Sequence, residues 1–237
     1  MSDQPNRLAA TEDFEFEAMA QARNYRRALL AEFGPFLQGD VLEVGAGIGQ
    51  MTQDLLRLPG IKRAVAVEPD CGFCARHRAR FPGHELVEGT LANLPEDTAW
   101  NAVLSINVLE HIQDDQGELN HYARLLRSRR GILCLYVPAR PEIYAPIDRD
   151  FGHFRRYTRP ELRAKLLGAG FEIVHLHYFN SVGYFVWWVN FCLLKNRSFE
   201  RGKVWFYDRL IFPLVHALES SLIRPPFGQN LLTVARA

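Results

Sequence analysis

The chain has 237 residues, with 28 Lys plus Arg against 27 Asp plus Glu and a formal net charge of +1. That length suits one large domain with a substantial core, and the balanced charge offers no global field to draw in polyanions, which sets nucleic acid aside as a main partner. Residues 1–13 are polar and acidic where a signal peptide needs a basic flank and an apolar run, and four cysteines are too few for a disulfide scaffold, so a reduced, cytoplasmic setting is expected.

In chain order, Tyr25–Phe36 carries Leu29, Leu30, Phe33 and Phe36 on one helical stripe that ends near Gly34-Pro35. Residues 1–38 are read as a helical cap. From there apolar segments alternate between strand-like and helix-like. Strands are expected at Asp40–Val44, Ala64–Glu68, Glu85–Val87, Ala102–Ile106, Gly131–Val137, Phe171–His175 and Leu231–Val234. Helices are expected at Gly49–Leu58, Cys71–Phe81, Gln116–Ser128 and Thr158–Leu167. The last opens on Thr158-Arg159-Pro160-Glu161, whose hydroxyl and carboxylate can cap each other's orphan amides. The alternation gives an α/β class: a doubly wound, mostly parallel seven-stranded sheet with helices on both faces, in a single domain spanning 1–237. Cys71-Gly72-Phe73-Cys74 is one CxxC without a second ligand pair, so it is read as helix-start packing and not as a zinc or redox site.

Two segments depart from the alternation. Residues 139–157 form a long connection dense in groups that bind anions or move protons, among them Asp148, Asp150 and the run Gly152-His153-Phe154-Arg155-Arg156-Tyr157. A connection of this length usually has work to do, here substrate recognition; the plainer alternative is a solvated loop whose arginines pair with Asp148 and Asp150. Residues 181–226 crowd Tyr184, Phe185, Trp187, Trp188 and Phe191 before a helical apolar period resumes at Val204 to Ile223. The uninterrupted apolar stretch is too short for a membrane span. Three roles stay open for this insertion: a roof over one sheet face and the substrate pocket, a dimer interface, or a membrane-surface patch beside Lys195, Arg197, Arg201 and Lys203.

The densest chemical signal is Val41-Leu42-Glu43-Val44-Gly45-Ala46-Gly47-Ile48-Gly49, a buried-type strand entering a glycine turn and then a helix. Glycine permits the tight turn and close backbone approach, and free amides at the helix start can meet a polar ligand. Glu43, two residues before the first glycine, carries the wrong charge for a pyrophosphate and the right one for a cationic amino group. The second strand ends in Val67-Glu68-Pro69-Asp70, which puts a carboxylate where two ribose hydroxyls could donate to it. The fourth ends in Ile106-Asn107-Val108-Leu109-Glu110-His111, polar groups at the edge where open α/β sheets gather ligands.

These residues resemble motif I, the ribose-binding acidic turn and the post-strand-four motif of class I S-adenosylmethionine-dependent methyltransferases, and the similarity covers most of the chain. The resemblance implies S-adenosyl-L-methionine as cofactor. It would pass Gly45, Ala46, Gly47 and Gly49 under the methionine part, put Glu68 and Pro69 at the ribose, Thr90 and Leu91 beside the adenine, and Asn107 and Val108 under the sulfonium. Tyr25 resembles an aromatic that closes over the cofactor carboxylate in many bacterial members. Transfer from a sulfonium does not inherently require a metal, so no metal site is expected, and Asp114-Asp115 alone does not establish one. A hydroxyl acceptor needs a base, for which His153 and His111 are the candidates; a carboxylate acceptor needs none and could be held by Arg155 or Arg156, with Tyr157 completing the catalytic set. O-methylation of a small metabolite, lipid-linked molecule or peptide, by a monomer or homodimer, is the resulting expectation. Alkyl transfer or cyclisation with the same cofactor, and a non-catalytic interaction module of the same fold, remain alternatives.

Overall fold

The structure is a computed structural model describing residues 21–95, 97–197, 201–221 and 225–237. The expected cap and insertion therefore lie partly outside the described residues. Seven strands, β1 (Gly39–Val44), β2 (Ile61–Glu68), β3 (Glu85–Glu88), β4 (Ala102–Ile106), β5 (Ile132–Pro138), β6 (Glu172–Phe179) and β7 (Asn230–Arg236), form one sheet in the order β3-β2-β1-β4-β5-β7-β6. All neighbours are parallel except β7, which runs antiparallel to both β5 and β6. The order reverses at β1 and β4, so the carboxyl ends of those strands open a crevice.

Strand residues alternate between two cores, as a sheet covered on both faces requires. Leu42, Val103, Leu133 and Leu135 face one way and pack with Leu119, Tyr122 and Leu126 of α4 (Asp115–Arg127) and with Leu162 and Leu166 of α6 (Arg159–Gly168). Val41, Leu104, Cys134 and Tyr136 face the other way and meet Leu29 and Phe33 of α1 (Arg23–Phe33) and Met51 and Leu55 of α2 (Gln50–Leu55). Between them α3 (Cys71–Arg80) crosses from β2 to β3, with Cys74 buried and its thiol on the Glu68 carbonyl at 3.2 Å.

Several boundaries differ from the sequence reading for physical reasons. Helix α2 stops at Leu55, short of Leu58, because Pro59 disfavours helical backbone before it. Strand β2 starts at Ile61 instead of Ala64, its exposed Lys62 and Arg63 extending past the apolar run that marked it. Strand β6 reaches Phe179 instead of His175: a register shift between Ile173 and His175 breaks the period-two pattern that would have revealed its length.

Residues 139–157 are not an open loop. A turn at Pro141–Ile143 and a short helix α5 (Pro146–Asp150) bury Ile143, Ile147 and Phe151 against Trp187 and Phe191, a third apolar cluster. The partner side comes from α7 (Ser181–Trp187) and the π-helical turn Trp188–Leu193. Beyond it α8 (Arg201–Phe206), a second π-turn (Tyr207–Ile211) and α9 (Phe212–Ser221) lead back to β7. Asp208 of that turn caps α1, which has no capping side chain of its own: its carboxylate accepts from the backbone N of Asn24 at 3.1 Å and of Tyr25 at 2.9 Å. No helix among the described residues is long and apolar enough to cross a membrane.

Candidate active site

The glycine turn after β1 is left-handed at Gly45, Gly47 and Gly49 (φ +70°, +53° and +82°), a conformation that side chains other than glycine's resist. Gly45 N donates to Val67 O at 2.9 Å, and a Cβ built at Gly45 would lie 2.3 Å from Val108 Cγ2. The turn is thus pinned between β2 and the segment after β4. Glu68, buried at the tip of β2, accepts from Gly47 N at 2.8 Å and from Asp70 N at 2.9 Å, while Pro69 beside it is exposed. Ala46 is buried within the turn.

Glu43 turns toward α2, where Thr52 Oγ1 donates to its Oε2 at 2.5 Å and His77 Nε2 lies 3.2 Å from the same hydroxyl. Burial pushes the Glu43 carboxyl up to about 8; the Thr52 hydrogen bonds oppose the rise and neighbouring Glu68 adds to it. Thr90 is exposed and caps the turn Leu91–Asn93, whose Leu91 is buried in the core. Asn107 has φ +53° and donates its backbone N to Tyr136 O at 2.9 Å; its Oδ1 is buried without a hydrogen-bond partner among the described residues.

Asn107 also lines a cavity of about 300 Å³ at the carboxyl edge of the sheet. One wall is apolar, from Phe151, Val186, Trp187, Phe191 and Val204; the floor is polar, from Asn107, Glu110, His153 and Asn230. Tyr25 closes one side, its ring edge-on to Phe179 and its hydroxyl bonded to that of Tyr136. The cavity is therefore built from the ends of β4 and β5, from the start of β7 and from both irregular segments.

Of the five candidate catalytic residues, the structure brings His153, His111 and Arg156 together and sends Arg155 and Tyr157 elsewhere. Arg155 pairs with Asp115 at 2.8 Å, and the Tyr157 hydroxyl donates to the same carboxylate at 3.0 Å. Lys165 completes this buried knot between α4 and α6 at 2.9 Å. Asp114 beside it accepts from Gly117 N at 3.0 Å as the cap of α4, so the Asp114-Asp115 pair is structural.

Arg156 is inside, but its guanidinium is committed. Its Nε and Nη2 reach Asp148 Oδ1 at 2.9 and 2.8 Å, its Nη1 donates to Ala139 O at 3.2 Å, and its plane lies 4.4 Å from the Trp187 ring. Asp148 also accepts from Ala145 N at 2.8 Å and meets His153 Nδ1 at 2.9 Å. Burial works against the Asp148 carboxylate, yet the His153 and Arg156 contacts hold it below the usual carboxylate range. The plainer alternative, a solvated loop whose arginines pair with Asp148 and Asp150, holds only in part: Arg156 does meet Asp148, but the pair is buried, and Asp150 faces Arg197 at 3.5 Å.

His111 packs edge-on against His153 with ring centroids 4.7 Å apart. Burial lowers its pKa to about 3, with His153 contributing and a hydrogen bond to the Phe151 backbone opposing, so it is neutral at pH 7. Glu110 is wholly buried beside it, its Oε1 4.0 Å from His153 Nε2. Sequence reasoning quoted Glu110 only as part of the post-strand-four run and missed its place in the cavity floor. Asn180 and Asn230 were missed as well; neither lies in a recognisable motif, and only the sheet order brings them to this edge.

A left-handed glycine turn, a carboxylate at the tip of β2 and an unsatisfied amide oxygen after β4, set on a sheet of this order, define the class I S-adenosylmethionine-dependent methyltransferases. The chain belongs to the methyltransferase-domain family, whose pattern matches residues 16–176. It is 33% identical over 135 residues to a "probable S-adenosylmethionine-dependent methyltransferase" of Mycobacterium tuberculosis strain H37Rv, covering 56% of this chain and 48% of that protein. Over 151 residues it is 29% identical to a demethylmenaquinone methyltransferase of Tropheryma whipplei, covering 63% and 61%. The chain thus spans about half the length of the first of these relatives. An S-adenosylmethionine-dependent methyltransferase from Mesorhizobium loti has the same fold, with a TM-score of 0.61 at 18% identity over 89% of this chain and 96% of that one. The chain therefore carries a methyltransferase domain, and the first of these relatives is named for dependence on S-adenosylmethionine. Two features suit that ligand: the orphaned Asn107 Oδ1, and the buried Glu68 carboxylate against the glycine turn, which favours hydroxyl donors or a cationic guest over a phosphate.

Proposed function

We propose that the chain transfers a methyl group to a hydroxyl oxygen of an apolar, lipid-like small molecule seated in the cavity. The observation that carries this reading is the cavity's division into an apolar wall and a polar floor in which no guanidinium is available. Of the two arginines that could hold a carboxylate acceptor, Arg156 is taken by Asp148 and Arg155 by Asp115, and such an acceptor would face Glu110, a buried carboxylate. A hydroxyl meets neither obstacle.

The bound cofactor supplies a methyl already activated on a sulfonium, so the protein's part is mainly placement. In this reading Gly45, Ala46, Gly47 and Gly49 carry the methionine part, Glu68 and Pro69 the ribose side, Thr90 and Leu91 the adenine side, and Tyr25, Asn107 and Val108 the junction with the cavity. Asn107 lies on that junction, which supports an acceptor oxygen approaching from the Glu110–His153 side. Glu43, turned to Thr52 and kept mostly as the neutral acid by its burial, then acts through its hydrogen bond behind the turn and not by direct contact.

The outer surface of residues 185–197 and 202–218 supports a lipid-like acceptor. Trp188, Leu193, Leu194, Trp205, Leu214 and Leu218 are each between 44% and 70% exposed, with exposed Lys195, Arg197, Lys203 and Arg209 among them. Apolar side chains rimmed by cations suit an anionic bilayer surface, and Val186, Lys203 and Val204 carry this surface into the cavity lining. A peripheral position on the cytoplasmic leaflet is part of the proposal.

The test is transfer of labelled methyl from S-adenosylmethionine to a panel of long-chain phenols, the matching carboxylic acids and short peptides. Ether products with release of S-adenosylhomocysteine are expected. Ester or N-methyl products alone would sink the hydroxyl reading, and methylthioadenosine would point to transfer of the amino acid side instead.

A further inference from the structure

We propose that Glu110, His111 and His153 bind a first-row divalent cation of the Zn²⁺ type at the floor of the acceptor cavity, contrary to the expectation from sequence that no metal site exists. One ligand atom from each of the three residues lies within 4.8 Å of the other two. His153 Nε2 and Glu110 Oε1 are 4.0 Å apart, too far for a hydrogen bond. Two ligands about 2.0–2.2 Å from one tetrahedral ion lie roughly 3.3–3.6 Å apart, so the pair has to close by only about half an ångström to share an ion.

The imidazoles are oriented for the task. His153 Nδ1 is held by Asp148 Oδ1 at 2.9 Å, so the proton belongs on Nδ1 and the Nε2 lone pair faces Glu110. Such a carboxylate behind a ligating histidine fixes the ring and raises its basicity. The His111 ring bonds the backbone of Phe151. Its Nδ1 is the nitrogen turned to the following residue, Gly152, whose built Cβ would lie 3.7 Å away, so Nε2 remains on the opposite edge for a ligand.

The donor set selects the class of ion. Two imidazole nitrogens and one carboxylate suit Zn²⁺ and its first-row neighbours, whereas Mg²⁺ and Ca²⁺ prefer oxygen throughout. Three protein ligands leave a coordination position, and because Glu110 and His153 line the cavity that position opens onto the proposed acceptor. Charge agrees as well. Asp148 is neutralised by Arg156, so a dication on Glu110 leaves one positive charge to be matched by an oxygen anion.

The role of the ion, though not its binding, rests on the hydroxyl acceptor proposed above. The acceptor oxygen takes the open position and releases its proton to water. Its lone pair then forms the bond to the methyl carbon as the carbon–sulfur bond breaks, the electron pair of that bond going to sulfur. His153 is then a ligand and not the base.

The experiment uses the whole chain, stripped by chelator and titrated calorimetrically with ZnCl₂ and, separately, followed by visible absorption on adding Co²⁺. One site per chain and the absorption bands of a nitrogen- and oxygen-bound Co²⁺ are expected. Asp148→Asn should weaken uptake about 10–100-fold, and His153→Ala or His111→Gln by more, since these remove a ligand outright. Circular dichroism melts identify any variant that fails to fold, and the Co²⁺ spectrum of the unmodified chain needs no variant. S-Adenosylmethionine is titrated into the same stripped sample. Uptake of that ligand without stoichiometric Zn²⁺ or Co²⁺ would overturn the cation site and leave the methyltransferase standing; cation uptake unchanged by His153→Ala and His111→Gln would overturn it equally. Cation uptake is read without any acceptor present, so failure of the hydroxyl reading cannot be mistaken for failure of the site.

Discussion

Replacing Gly45 by alanine tests whether the glycine turn is held by backbone conformation, by packing, or by both. Gly45 has φ +70°, where a residue with a Cβ loses about 1–2 kcal/mol. The new Cβ would also sit 2.3 Å from Val108 Cγ2 and 3.4 Å from Val108 Cβ and Cγ1. Carbon pairs are comfortable at about 3.5–4.0 Å, so more than 1 Å must be recovered from a β-branched side chain whose χ1 has little freedom. Overpacking of that kind costs about 1–3 kcal/mol. The two costs together predict a loss of about 2–5 kcal/mol, which for a chain of this size lowers the melting temperature by roughly 5–15 °C. Thermal unfolding by circular dichroism on the parent, Gly45→Ala, Val108→Ala and the double variant separates the parts. The double variant should recover the packing share and retain the backbone share. A Gly45→Ala protein that melts within about 1 °C of the parent would refute the reasoning, and strict additivity in the double variant would refute its packing half.

The raised pKa of Glu43 sets a pH dependence. With a folded value of about 8 against an ordinary 4.5, folding takes up a proton between those limits. The stability contributed by the neutral acid is full below about 4.5 and is lost as pH rises through 8, at up to about 1.4 kcal/mol per pH unit. Glu43→Gln should therefore gain on the parent between pH 5 and pH 8 in urea unfolding, and parallel profiles would exclude the effect. Arg156→Met leaves Asp148 as a buried charge without its guanidinium and should cost about 3–5 kcal/mol in the same assay, with Arg156→Lys intermediate; a loss under about 1 kcal/mol would mean that the pair is hydrated. Leu214→Ser with Leu218→Ser, both on the exposed face of α9, should reduce co-sedimentation with anionic vesicles at least about tenfold without altering the melt. A concentration-dependent dimer abolished by the same two substitutions would assign the surface to a second copy instead.

What the sequence disclosed and what it concealed divide along a physical line. The glycine turn, the Glu68 tip and the polar end of β4 are each specified within a few consecutive residues, because local backbone geometry demands particular residue types there. Arg155, Arg156 and Tyr157 are just as prominent in sequence, yet two of the three serve a knot with Asp115, which lies 40 residues earlier in the chain. Nothing in the run itself distinguishes an arginine that holds a substrate from one that holds a helix. Asp208 is the extreme case: it caps a helix that starts 185 positions before it, a pairing that only the folded chain creates.

The C-terminal insertion shows why its roles could not be told apart by periodicity. Trp187 and Phe191 point inward, pack on Ile143, Ile147 and Phe151, and wall the cavity; Trp188, Leu193 and Leu194, their neighbours along the same chain, point outward and stay exposed. A helix apolar on one side only would have declared itself as a roof. One that is apolar around most of its circumference must cover something on each side, and only the inner side is covered within the described chain. The wall of the cavity and the proposed bilayer contact are then opposite faces of a single layer one helix thick, so an apolar acceptor leaving the membrane would have only that layer to cross before reaching Asn107, Glu110 and His153.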